Sequence, residues 1–164
     1  MTVISDTSVL CYLALLGRLD LLRTLFGTVV LPEEVLFECG HPNAPAELRN
    51  ALCAARSEFI EVRQVPERLP ETSALDDGEA AAISLAWKHR PDSLLLIDER
   101  SGRAIARALG VRVRGLLALL ADGHRRQVLD FNECASLLVG HGFRASCLLL
   151  QSFRRELRLP EPSP

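Results

Sequence analysis

Apolar residues recur along this chain with two different periods, and the alternation between them lays out the elements. Val3-Ile4-Ser5 is a short β-type run; Val9, Leu10, Leu13 and Leu16 then return at the spacing of one helix face until Gly17 stops them. A strand therefore feeds a helix at Asp6–Ser8. RLDLLRTLFG reads as a second short helix closed by Gly27, and TVVL as a second strand. Pro32 stands where a helix starts, with Glu33 and Glu34 in a first turn that favours carboxylates. Residues 45–57 predict a further helix, FIEVRQV at 59–65 a strand, and PERLPETSA an exposed loop. LDDGEAAAISLAWKH at 75–89 is the best-defined helix, followed by the turn RPDS and the buried-strand run LLLI. RSGRAIARALG reads as a helix stopped by Gly110, VRVR as a short strand and GLLALLADG as a helix. Two more helical patterns flank the break GHGFRAS, and the terminal PEPSP reads as frayed.

Strands alternating with helices predict an α/β fold with a mostly parallel sheet, and such sheets carry their sites beyond the carboxyl ends of the strands. With 164 residues, 48% of them hydrophobic, one domain over residues 1–158 is expected, with a disordered tail at 159–164. No basic leader precedes a long apolar stretch, and no run approaches the roughly 18 apolar residues that span a membrane, so a soluble cytoplasmic protein is expected. Five cysteines, odd in number and never paired as CxxC, read as buried free thiols. The net charge of −2 gives no overall basic footprint for nucleic acid. Arginines are nevertheless concentrated at Arg100, Arg103, Arg107, Arg112, Arg114, Arg125 and Arg126, with Asp122 the single acid among them, which reads either as a local basic surface or as solvated helix faces.

Two acids end two of the apolar runs. Asp6 follows Val3-Ile4-Ser5, and Asp98 follows Leu94-Leu95-Leu96-Ile97, so both are expected to project into one crevice. Each also suits a helix N-cap, Asp6 for the helix at Thr7 and Asp98 for one near Ser101. Glu79 shares a helix face with Ala82, Ile83, Ala86 and Trp87, and a carboxylate on an apolar stripe needs an explanation. One explanation is the capping box that Asp76-Asp77-Gly78-Glu79 resembles; the other is chemistry. Glu38 falls on one side of its helix with Glu34, and spacing alone makes that pair a solvent-facing stripe.

Carboxylates crowded into a crevice repel one another, and a divalent cation removes that cost. Oxygen-only ligands suit Mg²⁺ or Mn²⁺ better than zinc, and such ions activate water for phosphodiester hydrolysis with no histidine or cysteine nucleophile. His41, His89, His124 and His141 lie in loops or at helix ends and are assigned no role.

Taken together, ISDTS, GRLDLL…LFGTVVLPEEV, LDDGEAAAISLA, LLLIDERSGRAIARALGV and the late GF-x-x-S resemble the PIN domain superfamily, in a prokaryotic branch of nucleic-acid-binding PIN proteins similar to the VapC ribonucleases. The resemblance covers nearly the whole chain. It implies a three-layer α/β/α sandwich around a mostly parallel sheet, an acidic pocket for Mg²⁺ or Mn²⁺, and endonucleolytic cleavage of RNA. Because many members are toxins of type II toxin–antitoxin pairs, it also brings an antitoxin as a partner, and the apolar helices near the N-terminus and in the tail offer a homodimer or partner surface. By the same resemblance the first acid falls on Asp6, the adjacent hydroxyl on Thr7 or Ser8, the second acid on Glu38 rather than Glu34, the third on Glu79, and the last on the Asp98–Glu99 step. Asp6, Glu79, Asp98 and Glu99 are then the metal candidates, Glu38 joins them as a catalytic acid, and Ser8, Arg100 and Arg103 are the RNA contacts.

The strand end favours Asp98 and the following helix favours Glu99, where related sequences often carry two aspartates. That step keeps open a PIN-like module that binds RNA or protein without cutting it. A dehalogenase-like phosphatase wants a second aspartate two residues after the first, where this chain has Ser8; a receiver wants a strand-end lysine, and Lys88 is helical; no GxGxxG follows a strand.

Overall fold

Each β-type run of the sequence becomes a strand, and the strands pair in parallel because a helix crosses over between successive ones. The computed structural model describes residues 1–65 and 67–160. In order they form β1 (Thr2–Ser5), α1 (Thr7–Leu15), α2 (Leu21–Phe26), β2 (Val29–Pro32), α3 (Glu33–Gly40), α4 (Ala46–Ala55), β3 (Ile60–Arg63), a 3₁₀ turn (Pro70–Thr72), α5 (Asp77–Lys88), β4 (Ser93–Leu96), α6 (Arg100–Ala108), β5 (Val113–Arg114), α7 (Leu116–Arg125), α8 (Phe131–Gly140) and α9 (Cys147–Leu157). The sheet order is β3-β2-β1-β4-β5, every pair parallel, with helices on both faces: the expected α/β/α sandwich. Gly27 and Gly110 end their helices at φ 78° and 72°, a region that costs glycine nothing.

The chain divides into two compact units, Met1–Gly115, which holds the whole sheet, and a second that begins at Leu116. In the first, Ile4, Leu95 and Ile97 pack with Ala82, Ile83 and Ala86 of α5 and with Ala106 and Val111. Burial of each large aliphatic here contributes roughly 1.5–3 kcal/mol. In the second unit, α7 packs on α8 and α9, and Phe131 meets Phe153 with ring centroids 5.8 Å apart. Leu137, Val139, Leu148 and Leu149 stay exposed there. No described helix is long and apolar enough to cross a membrane. Most of the tail expected at 159–164 lies outside the described residues.

Three sequence expectations change. Helix α5 is not striped: residues 80–86 are all buried, because the helix lies across β1, β2 and β4 and under α3 and α6. Trp87, assigned to the stripe, is exposed at the surface with Arg90 over its ring at 4.7 Å. The loop at 66–74 is not wholly exposed, since Thr72 is buried and the Ser84 hydroxyl accepts from the Leu69 amide at 3.0 Å, pinning the loop to α5; Pro66 lies outside the described residues. The cysteines are all free, but only Cys39 and Cys134 are buried; Cys53 and Cys147 are exposed. Burial, with the neighbouring Glu38 charge, pushes the Cys39 thiol up to about 12. Iodoacetamide on the native protein should therefore modify Cys53 and Cys147 and spare Cys39, read by peptide mass mapping; labelling of Cys39 without denaturant would contradict this packing.

Candidate acidic site

The strand order decides where the acids meet. From β1 the chain runs outward through β2 to β3, and from β4 it runs the other way to β5, so β1 and β4 are neighbours that feed opposite halves of the sheet. At such a switch point a crevice opens beyond the carboxyl ends of the strands. The pairing Ser5↔Leu96 puts Asp6 beside Ile97, and the Asp6 amide donates to the Leu96 carbonyl at 3.0 Å. Asp6 and Asp98 thus emerge from adjacent strands at one level.

Asp6 is fully buried. Its Oδ1 accepts from the Val9 amide at 3.0 Å, and its Oδ2 from the Ser8 hydroxyl at 2.7 Å. Asp6 therefore caps α1 while it stands at the carboxyl end of β1. Ser8, expected on RNA, donates its hydroxyl proton to Asp6. Burial raises the Asp6 pKa to about 7 against the two hydrogen bonds that lower it, with the charges of Asp98 and Glu38 adding to the rise.

Glu38 is half-buried rather than on a solvent stripe. Its Oε2 accepts from the Thr7 hydroxyl and its Oε1 from the Gly78 amide at 2.7 Å, so one side chain of α3 joins the first turns of α1 and α5. Carboxylates are stabilised at such turns by free amides and the helix dipole. The hydroxyl position left open between Thr7 and Ser8 is resolved by division: Thr7 serves Glu38, and Ser8 serves Asp6. Glu34, also half-buried, accepts from Arg68 at 2.7 Å.

Glu79 makes no capping box. Asp76 is the N-cap of α5 with no side-chain cap bond, and Glu79 Oε1 is buried with no hydrogen-bond partner among the described residues. Burial raises its pKa to about 7, with Asp6, Asp76, Glu99 and Glu38 contributing like charge. A bare carboxylate oxygen removed from water costs several kcal/mol unless a proton or cation relieves it.

The Asp98–Glu99 step resolves unevenly. Asp98 is half-buried at the end of β4 and its charge acts on Asp6; Glu99 is exposed and its charge acts on Glu79. Asp98 does not cap α6, whose N-cap is Glu99, without a side-chain bond. Arg100 is exposed in the first turn of α6. Arg103, half-buried one turn on, brings Nη1 to the same spot beside Gly115 as Asp98 Oδ1.

Three glycines that sequence reasoning passed over seat these acids. A Cβ on Gly78 would collide with the Glu38 carboxylate; one on Gly102 would stand 3.0 Å from Glu79 Oε1 and 2.6 Å from Ile97 Cδ1; one on Gly115 would stand 2.9 Å from Asp98 Oδ1. The only signal in the chain was glycine inside two helical patterns, which lowers helix stability and so asks for a packing reason.

Among the described residues no group of three or more acidic, histidine or cysteine side chains is spaced to enclose a metal ion. Two of the acids are committed to protein donors, Asp6 to α1 and Glu38 to Thr7 and Gly78. The remaining chemistry suits a hard cation all the same. The donors are all oxygen, one is unsatisfied, and Mg²⁺ needs only one or two direct carboxylates, keeping water on its other positions. Residues 2–158 match a family model described as a PIN domain. No curated protein and no solved structure matches the chain.

Proposed function

Because the chain belongs to the PIN domain family, whose members are in general metal-dependent nucleases, we propose that it is an endoribonuclease hydrolysing RNA phosphodiester bonds with Mg²⁺ or Mn²⁺. The observation that carries the reading is the unsatisfied Glu79 Oε1, buried among like charges at the switch point of the sheet. Glu79, Asp6, Asp98 and Glu99 are the residues that would hold the cation, directly or through water. Bound there, the ion would neutralise the carboxylates and activate water for attack on phosphorus.

The chain's own groups supply the rest. Asp6 is fixed by Val9 and Ser8, so it meets a ligand without reorganising. Glu38, held by Thr7 and Gly78, keeps a second charge close enough to act on Asp6. Arg100 and Arg103 on α6 offer guanidinium groups to the phosphate that the acids would otherwise repel. Partners under this reading are an RNA strand and, at the exposed Leu148 and Leu149 of α9, a second copy of the chain or an antitoxin.

The deciding experiment is cleavage of a single-stranded RNA with Mg²⁺, with Mn²⁺ and in excess EDTA, using wild type and Glu79→Gln. Cutting that needs the metal and falls by about 10²–10⁴-fold in the variant is expected. Full activity in EDTA would remove the mechanism. An intact, RNA-binding protein that never cuts would favour the non-catalytic PIN-like module.

A further inference from the structure

A cavity of about 770 Å³ lies between the end of β3 and the second half of α5, and its charged lining is mainly cationic. Arg63, Arg68, Lys88 and His89 contribute to it against one acid, Glu67, and Trp87 forms part of its wall. Arg63 Nη1 lies 3.5 Å from His89 Nε2, so the two side chains converge on one wall of the cavity. Arg68 Nε is buried and has no hydrogen-bond partner among the described residues, which leaves a charged donor unspent. Lys88 is the only lysine in the chain and is exposed at the last turn of α5.

Arg68 also joins this cavity to the acidic site. Its Nη2 donates to Glu34 at 2.7 Å and its Nη1 reaches the Asp77 carboxylate at 3.4 Å and carbonyl at 3.0 Å. Glu34 and Asp77 line a smaller cavity, of about 460 Å³, together with Glu38. Arg68 thus lines the basic cavity and is ion-paired to two residues that line the acidic one.

We propose that the cavity formed by Arg63, Arg68, Lys88 and His89 is a phosphate-binding subsite for the RNA strand beyond the scissile bond. The proposal rests on the ribonuclease reading for its ligand but is tested by binding alone. Trp87 is the only tryptophan and stands in the cavity wall, so its fluorescence reports occupancy directly. A 12-nucleotide single-stranded RNA titrated in EDTA should change the Trp87 emission. Arg63→Ala and Lys88→Ala should each weaken binding by roughly tenfold, the loss of one charge-assisted contact. Each should also lower the slope of log K against log salt by about 0.7, while Lys88→Arg restores both. Lys88 is exposed, so its variants test the subsite even if Arg63→Ala disturbs the fold through loss of Glu61 at 2.8 Å.

Adenosine monophosphate separates the two sources of a nucleotide phosphate. Binding of the monophosphate at least 100-fold weaker than the RNA is expected of a strand subsite. Equal affinity would make the cavity a site for free nucleotides and overturn the proposal. So would wild-type RNA affinity and salt slope in both alanine variants. If Glu79→Gln cleaves normally while these binding losses appear, the catalytic reading fails and the subsite stands; the reverse pattern sinks the subsite alone.

Discussion

Asp6→Asn should lose RNA cleavage by about 10²–10⁴-fold and yet, without metal at pH 8, melt at a higher temperature than wild type. The two effects come from one property. Asp6 is fully buried beside Asp98 and Glu38, and burial raises its pKa to about 7, against about 3.9 in an unfolded chain. The folded state therefore holds a proton that the unfolded state releases. Its contribution to stability is complete below about pH 4 and is lost as pH rises through 7. Three pKa units correspond to about 4 kcal/mol, and relaxation of the site leaves about 1–3 kcal/mol as the working figure. Asparagine carries no charge, is an equally good N-cap, and can still accept from the Val9 amide. The variant should then melt about 3–9 °C above wild type at pH 8, with the gap closing towards pH 5. Half-buried Glu79, also raised to about 7, should follow the same sign with a smaller amplitude as Gln. Adding Mg²⁺ or Mn²⁺ at pH 8 should raise wild type more than Asp6→Asn, because the variant keeps Glu79, Asp98 and Glu99 but has one charge fewer to gain from the ion. Calorimetric scans at pH 5 and 8, with and without metal, decide the matter. A variant no more stable than wild type at pH 8 would show that the Asp6 charge carries no cost in the folded protein.

The sequence carried this site unevenly, and the reasons are physical. Asp6 and Asp98 were legible because each ends an aliphatic run, and a strand end is a fixed place in a parallel sheet. That their strands are neighbours at the switch point was not legible, since strand order depends on crossovers that leave no local trace. No stripe marks the Glu79 face, since residues 80–86 of its helix are all buried; the residue stands out because its Oε1 is buried with no hydrogen-bond partner among the described residues. Glu38 was invisible to periodicity, as its partners Thr7 and Gly78 lie 31 and 40 residues away. Only the resemblance to PIN domains chose it over Glu34, and the structure turns Glu34 to Arg68 instead. The choice between Asp98 and Glu99 rested on treating the two as alternatives, whereas consecutive residues at a strand-to-helix turn address different neighbours, one Asp6 and the other Glu79. The cationic cavity escaped notice because Arg63, Arg68 and His89 come from three segments that converge only once β3 and α5 are packed.

Gly78→Ala should dissect the site more cleanly than any change to an acid. Gly78 is the second residue of α5, and its amide holds Glu38 Oε1 at 2.7 Å. A methyl group there would overlap the Glu38 carboxylate, to which its three nearest atoms all belong. The obstacle is the end of a flexible side chain, so Glu38 can swing away without moving the backbone, giving up the Thr7 hydroxyl as it goes. Two charge-assisted hydrogen bonds are lost, but the freed carboxylate regains water, and alanine in place of glycine returns up to about 1 kcal/mol of helix propensity. Stability should change by no more than about 1 kcal/mol, or about 2–4 °C in melting temperature. Activity should fall by about 10–100-fold, the usual loss when the support of a catalytic carboxylate is removed while the group itself stays. Gly40→Ala is the matched control, since a Cβ at the end of α3 meets nothing within 4 Å, and it should leave cleavage unchanged. Three measurements make the case: cleavage rate, melting temperature and metal affinity by titration. A Gly78→Ala protein that melts normally and cuts as fast as wild type would mean that Glu38 is a tie between helices, and that catalysis rests on Asp6, Glu79 and the Asp98–Glu99 step alone.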